Sequence, residues 1–99
     1  MLFSHIKHYL NPEGIKAFPA WYTELKNLFL KQDGFITIKY AYDPEDSGCI
    51  HIWTEFTSTE KADIWALSQL KIDIQARLDP MRTKPMLVER FELVDYSST

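Results

Sequence analysis

The chain has 99 residues, a formal net charge of −3 and no run of like charges, so nothing in it indicates a nucleic-acid-binding surface. Hydrophobic residues make up 45% of the sequence, and Cys49 is its only cysteine, a composition typical of a folded domain in a reducing compartment. No apolar run approaches the roughly 18 residues that a membrane span requires. We therefore expect one cytoplasmic domain over residues 1–95 and a polar tail at residues 96–99, with neither nucleic acid nor membrane as a partner.

The beginning of the chain predicts a strand followed by a helix. Residues alternate over Leu2–Leu10, which is typical of a strand. Its expected helix-facing side carries Leu2, Ser4, Ile6, His8 and Leu10. Asn11-Pro12-Glu13-Gly14 then supplies an N-cap, a proline in the first helical turn and an early carboxylate. The helix after it has one apolar stripe with spacings of three and four, formed by Ile15, Phe18, Tyr22, Leu25 and Phe29.

Two more strands follow and should pair as a hairpin. Asp33-Gly34 ends the first helix. The side-chain alternation typical of strands then occurs in two segments, Phe35–Tyr42 and Cys49–Phe56, which are separated by turn-forming residues at 43–48. The helix-facing side of the earlier strand is expected to carry Ile36, Ile38, Tyr40 and Tyr42. That of the later strand is expected to carry Ile50, Ile52, Thr54 and Phe56.

The stretch 57–60 predicts a capping box in which Thr57 caps a second helix. Phe56 and Trp65 flank this junction and should face the gap between sheet and helices, which we take as the candidate pocket. The apolar stripe of this helix, with a break expected near Ser68, comprises Ile64, Leu67, Leu70, Ile74 and Leu78. A fourth alternating segment, Met86–Val94, predicts the last strand.

The element order βαββαβ predicts an α+β, ferredoxin-like fold, with two helices on one face of a four-stranded antiparallel sheet. The uncovered face would then mix large aromatic side chains with charged ones, which suits a two-fold interface, so we expect a homodimer. The residues expected on this open face are Phe3, His5, Lys7, Tyr9, Thr37, Lys39, His51, Trp53, Glu55, Val88 and Arg90.

Several short features also occur in an order and spacing that point to a family. They are Asn11-Pro12-Glu13-Gly14 before the first helix, Gly34-Phe35 opening the second strand, Phe56 ending the third, Ser58, and Trp65 nine residues beyond Phe56. Together they resemble the antibiotic biosynthesis monooxygenase (ABM) domain over nearly the whole chain. The resemblance implies a dimeric α+β barrel, in which two sheets pack face to face and each subunit has a cavity between its sheet and helices.

The ABM family that the chain resembles includes oxygenases that oxidise phenolic polyketides or quinols without metal or flavin, haem-degrading enzymes, and proteins of unknown activity. Its haem-degrading branch pairs a tryptophan matching Trp65 with a histidine about ten residues later and an asparagine on the first strand. This chain has Gln75 and Ile6 at those positions, so nothing obvious ligates haem iron, and haem degradation is not expected.

The candidate site residues each have a functional and a structural interpretation. His8 could accept a proton from a phenol, because imidazole titrates near neutral pH, or it could be a hydrogen-bonded core histidine. Tyr22, Tyr40 and Trp65 could hold an aromatic ring or simply fill the core. Arg77 could pair with an anionic substrate or with the end of its own helix.

A metal site and a cofactor are not expected. His5 and His51 should lie side by side on the open face with Glu55 nearby, but a histidine hydrogen-bonded to Glu55 is a plainer interpretation than a metal ion. Cys49 is interpreted as structural, since no cation or helix N-terminus adjoins it. The sequence contains no nucleotide-binding or hydrolase motif.

The sequence and the resemblance together predict a cofactor-independent monooxygenase that acts on a small phenolic or quinol-type substrate. In this hypothesis His8 accepts the phenolic proton, while Trp65 and Tyr22 hold the ring. The alternative is a non-enzymatic dimer that binds a small ligand or a protein partner, and no residue in the sequence excludes it.

Overall fold

The computed structural model describes residues 1–94, so the polar tail expected at residues 96–99 lies outside the described part. The strands are β1 (Leu2–Leu10), β2 (Phe35–Tyr42), β3 (Cys49–Phe56) and β4 (Arg82–Glu92). The helices are α1 (Pro12–Phe29), α2 (Thr59–Ala66) and α3 (Gln69–Ala76), and a 3-10 turn (Asp79–Met81) precedes β4. The sheet order is β2-β3-β1-β4 with antiparallel neighbours, which confirms the ferredoxin-like prediction. Within residues 1–94, no helix is long and apolar enough to cross a membrane.

Local signals set the ends of the helices. Asn11 Oδ1 accepts a hydrogen bond from the Gly14 N–H at 2.8 Å, which caps α1 as predicted. The prediction that Thr57 caps the second helix is wrong. The Thr57 N–H donates to the Gly34 carbonyl at 2.8 Å, so Thr57 continues the end of β3 instead of starting the helix. Ser58 caps α2 instead, and its Oγ accepts from the Lys61 N–H. The break expected near Ser68 is confirmed, because Ser68 caps a separate helix, α3.

One core lies between the helices and the sheet. Phe18 from α1 and Ile50 and Ile52 from β3 are almost completely buried in it. The indole Nε1–H of Trp21 donates to the Ile74 carbonyl at 2.7 Å, which joins α1 to α3 through a buried hydrogen bond. The stripe predicted for α1 and the helix-facing side predicted for β3 are therefore confirmed.

The single stripe predicted for the second helix is wrong in its first half. Ile64, Leu67 and Leu70 are all at least half exposed, whereas Ile74 and Leu78 are buried. The two-residue interruption between α2 and α3 changes the helical phase, so the spacing of three and four does not run along one face. In α2 the residues that pack into the core are Ala62 and Trp65.

Two strands depart from the predicted alternation. A register shift between Phe35 and Thr37 brings Phe35 to the helix side, where its ring centroid lies 5.2 Å from that of Phe29, and Ile36 becomes exposed. At the other end of β2, Tyr42 is exposed as well.

The fourth strand begins at Arg82 rather than Met86, and the predicted orientation of its two faces is reversed. Val88 pairs with Ile6, which places Val88 and Arg90 on the helix side rather than on the open face. Phe91 instead lies beside Phe3 on the open face, with ring centroids 5.8 Å apart. As an edge strand, β4 also accommodates Pro85, because a proline whose missing N–H would point to solvent costs the sheet no hydrogen bond.

Candidate active site

A cavity of about 150 Å³ lies between the sheet and the helices. Its apolar wall includes Leu25 and Phe29 of α1, Phe56 of β3 and Trp65 of α2. Strand β4 contributes both apolar and charged side chains to the lining, and helix α3 contributes polar ones. A cavity of this volume is known to admit a benzene-sized molecule, so one six-membered ring fits inside it.

The junction between β3 and α2 positions the aromatic part of the wall. Phe56 is the last residue of β3, and the Ser58 cap starts α2 two residues later, so Trp65 is directed back over the end of the sheet. The rings of Trp65 and Phe29 lie with their centroids 4.6 Å apart, and only 6% of Trp65 is exposed. Phe56 and Trp65 thus both line the gap towards which their junction was expected to direct them.

His8 is a completely buried polar side chain at this cavity. Its Nδ1 lies 2.9 Å from Nη1 of Arg82. The other two guanidinium nitrogens of Arg82 donate to Asp79 and Gln75. A guanidinium group has only donors, so Nδ1 must accept, and the neutral ring therefore carries its proton on Nε2. Burial, and to a smaller extent the charges of Arg82 and Lys71, lower the pKa of His8 to about 3.

The Nε2 atom of His8 is the one buried side-chain polar atom within residues 1–94 that has no hydrogen-bond partner. Because burying an N–H without a partner is costly, this atom marks a place where a ligand would be stabilised. The tautomer makes Nε2 a hydrogen-bond donor. The proton-accepting role expected for His8 from the sequence would require a lone pair on Nε2, which this tautomer does not provide.

The charged side chains at the cavity are basic. Lys71 and Arg90 both line it, and among its described lining residues none is acidic. Arg90 reaches across from β4 to Asp63 of α2, at a distance of 2.8 Å. Because Asp63 balances the charge of Arg90, the positive charge that favours an anion within the cavity is that of Lys71.

The other residues predicted for the pocket lie elsewhere. Tyr22 and Tyr40 pack against each other, with ring centroids 4.4 Å apart, and the Tyr22 hydroxyl donates to the Ile38 carbonyl at 3.1 Å. Burial raises the pKa of both hydroxyls, and neither residue lines the cavity. Arg77 is exposed and forms an ion pair with Glu24, away from the cavity. Of the predicted pocket residues, the cavity brings together His8 and Trp65.

Most of the polar residues around His8 were not predicted from the sequence. Arg82 was placed before the last strand, Arg90 was assigned to the wrong face, and Gln75 was considered only as the residue that replaces a haem ligand. Gln75 in fact accepts a hydrogen bond from Arg82 at 2.9 Å and lines the cavity. The pairing of Ile6 with Val88 places Arg90 on the helix-facing side, but this register between strands is a tertiary feature that the sequence does not reveal.

A second polar cluster lies on the open face. The rings of His5, His51 and Trp53 stack, with neighbouring centroids 5.0–5.6 Å apart. His5 Nε2 lies 2.8 Å from His51 Nδ1, and His51 Nε2 lies 2.8 Å from a carboxylate oxygen of Asp43. This bond to Asp43 replaces the expected bond to Glu55, and it lowers the pKa of the Asp43 carboxyl.

The remaining residues predicted for the open face are arranged around this cluster. Phe3 and Trp53 are half-buried in the single chain, Lys39 is exposed, and Glu55 pairs with Phe3 across the β1–β3 ladder. Phe91 adds a further half-exposed aromatic ring beside Phe3. An aromatic surface of this kind is consistent with the expected interface between two copies.

Comparison with solved structures identifies the class of fold. The chain matches a crystal structure of an antibiotic biosynthesis monooxygenase with a TM-score of 0.83 and 17% identity, over 96% of this chain and 100% of that one. The fold is therefore that of the ABM structures, and the resemblance noted in the sequence is confirmed at the level of the fold.

Two further structures are similar over nearly their full length. Rv0793 from Mycobacterium tuberculosis matches with a TM-score of 0.84 and 15% identity, over 98% of each chain. SnoaB from Streptomyces nogalater, a cofactor-independent oxygenase, matches with a TM-score of 0.82 and 9% identity, over 99% of this chain and 97% of that one. No family model matches the sequence, and comparison with curated proteins gives no match either.

Proposed function

We propose that the protein is a cofactor-independent monooxygenase that oxidises a small phenolic or quinol-type compound in the cavity between its sheet and helices. The observation that carries this proposal is the buried Nε2–H of His8, which has no protein partner within residues 1–94 and belongs to a residue lining an aromatic-walled cavity. The similarity in fold to SnoaB supports an oxygenase over other chemistries.

The size of the cavity limits the substrate. A volume of about 150 Å³ accommodates one substituted ring, so a monocyclic phenol fits and a fused multi-ring compound does not. Trp65 and Phe29 provide flat apolar surfaces against which such a ring packs.

The electrostatics of the cavity favour the ionised phenol. A phenolate oxygen that accepts a hydrogen bond from His8 Nε2 replaces the missing partner, and Lys71 contributes positive charge. An opposite charge and a hydrogen bond to the ionised form both lower the pKa of an acid, so the phenol loses its proton to water without a protein base. His8 therefore acts as a fixed donor, comparable to one group of an oxyanion hole.

The phenolate is electron-rich enough to react with molecular oxygen. For a phenol with a free para position, the carbon opposite the hydroxyl gains one oxygen atom and loses its hydrogen, and the ring becomes a para-quinone. The second oxygen atom leaves as water, so phenol plus O₂ balances to quinone plus water. The substrate supplies all the electrons, and no external reductant is required.

We further infer a cytoplasmic homodimer that forms through the open face. Half-buried aromatic rings there, including Trp53 and Phe3, would be covered by the same surface of a second copy. Sedimentation at micromolar concentration should give twice the mass of one chain. A monomer under these conditions would contradict the inference.

The function is tested by oxygen uptake with methyl-substituted phenols and hydroquinones, corrected for oxidation without protein. We expect turnover by the wild type and a loss of about 100-fold or more in His8→Leu, because Leu keeps the volume but removes the donor. His8→Gln retains an amide donor and should keep more activity than His8→Leu. Arg77→Gln, a change of charge outside the cavity, is the matched control and should behave as the wild type.

Circular dichroism must first show that the variants are folded. Equal oxygen uptake in wild type and folded His8→Leu would refute the role of His8. Calorimetric binding of the same phenols by the wild type, without any oxygen uptake, would refute the enzymatic proposal and establish a ligand-binding protein instead.

A further inference from the structure

Three side chains with metal-binding atoms converge at the end of the β2–β3 hairpin, on the sheet face opposite the cavity. They are Asp43, Cys49 and His51, and one ligand atom from each lies within 4.8 Å of the others. The proposed oxygenase chemistry uses none of them.

The hairpin explains why these residues meet. Cys49 and His51 are two positions apart on β3, so their side chains share one face of the sheet. Asp43 follows the last residue of β2, and its N–H donates to the Cys49 carbonyl at 3.2 Å. One Asp43 carboxylate oxygen accepts from the Glu45 N–H at 2.8 Å, which leaves the other oxygen directed at His51.

Two of the three distances between the ligand atoms can be compared with the edges of a tetrahedral zinc site. Typical bonds of about 2.3 Å to sulfur and 2.0–2.1 Å to nitrogen give a sulfur–nitrogen edge of about 3.6 Å in a tetrahedron. The Cys49 Sγ to His51 Nε2 distance is 3.8 Å. The Asp43 Oδ2 to His51 Nε2 distance of 2.8 Å must widen by about 0.5 Å, which rotation of an aspartate side chain on a turn allows.

His5 supplies the outer contact that a metal-bound histidine requires. When Nε2 of His51 binds a metal, its proton must move to Nδ1, and Nδ1–H then donates to His5 Nε2, 2.8 Å away. Stacking of His5 against both His51 and Trp53 fixes the orientation of the imidazole. The ring is therefore already held in the position that ligation requires.

We propose that Asp43, Cys49 and His51 bind a zinc ion, with a water molecule as the fourth ligand. A thiolate, a carboxylate and a neutral imidazole form a mixed sulfur, oxygen and nitrogen set that suits zinc better than calcium or magnesium, which prefer oxygen alone. The thiolate and carboxylate together neutralise the charge of the ion. Bound there, zinc joins the end of β2 to the start of β3 and stabilises the hairpin.

Cobalt(II) is the spectroscopic probe for this site, because it occupies tetrahedral zinc sites and gives visible absorption and a thiolate-to-metal charge-transfer band. Metal-free full-length protein is titrated with cobalt and then with zinc, and zinc affinity is measured by competition with a chromogenic chelator. We expect one equivalent of cobalt with a thiolate band, which one equivalent of zinc removes. Cys49→Ser should lose the band, and Asp43→Asn should bind zinc at least tenfold more weakly.

Two further variants separate a built site from non-specific binding. His5→Phe keeps the ring stack but removes the outer hydrogen bond, so it should weaken zinc binding by about 10- to 100-fold. Glu45→Gln removes a neighbouring charge from the same turn and should bind as the wild type. Absence of the thiolate band in the wild type, or equal zinc affinity in the wild type and Asp43→Asn, would overturn the proposal. A rise in the thermal midpoint with zinc in the wild type but not in Cys49→Ser supports it independently of the spectra.

Discussion

Acidification should destabilise the protein through His8. The folded state holds the pKa of His8 at about 3, against an ordinary value of 6.5, because the ring is buried and Arg82 donates to its Nδ1. Below about pH 6.5 the unfolded chain binds a proton on this histidine, while the folded chain does not. The stability associated with neutral His8 is therefore complete above pH 6.5 and is lost progressively as the pH falls towards 3.

The size of the effect follows from the linkage between proton binding and folding. Each pH unit between the two pKa values changes the free energy of unfolding by about 1.4 kcal/mol for a single group. Lowering the pH from about 6.5 to about 4.5 should therefore cost about 2 kcal/mol, because the unfolded histidine is already half protonated at pH 6.5. That is a large part of the roughly 5–15 kcal/mol by which proteins are usually stable.

Urea unfolding of wild type and His8→Gln, at a series of pH values and one protein concentration, measures this contribution. Glutamine can accept the hydrogen bond from Arg82 but does not titrate, so the difference between the two proteins isolates His8. We expect the wild type to lose about 2 kcal/mol more than His8→Gln between pH 6.5 and 4.5. His5→Gln, a histidine on the other face of β1, should retain the steep dependence. Parallel curves for wild type and His8→Gln would refute the buried, neutral state of His8.

Three substitutions test other parts of the fold by their effect on urea midpoints. Gly34→Ala should cost about 1–3 kcal/mol, because Gly34 has φ of +83° and a Cβ there would meet the Lys61 side chain at 2.7 Å; a neutral result would contradict the turn geometry. Phe18→Ala should cost about 3–5 kcal/mol since Phe18 is completely buried, and a loss below about 1 kcal/mol would show a looser core. Ser58→Ala should cost about 1 kcal/mol and more than Thr57→Ala, whereas the reverse order would restore Thr57 as the cap.

The sequence predicted the aromatic part of the candidate site better than its polar part. Phe56 and Trp65 were located because the change from strand to helix is a local pattern with a known direction. Tyr22 of α1 and Tyr40 of β2 lie in the same layer between helices and sheet as His8, but only packing shows that they contact each other instead of the cavity. Neither the residue type nor the position in the helix or strand shows whether such a side chain lines the cavity or packs against another ring.

The sequence by itself determined the order of the elements, the cap at Asn11, the helix break near Ser68 and the buried side of β3, because each depends on hydrogen bonds or alternation within a few residues. Tertiary structure decided the orientation of the edge strand β4, since both of its sides carry apolar and charged residues and only pairing with β1 distinguishes them. It also decided the chemistry of His8. The donor to its ring, Arg82, is 74 positions away in the chain, and that one contact sets both the tautomer and the direction of the hydrogen bond available to a ligand.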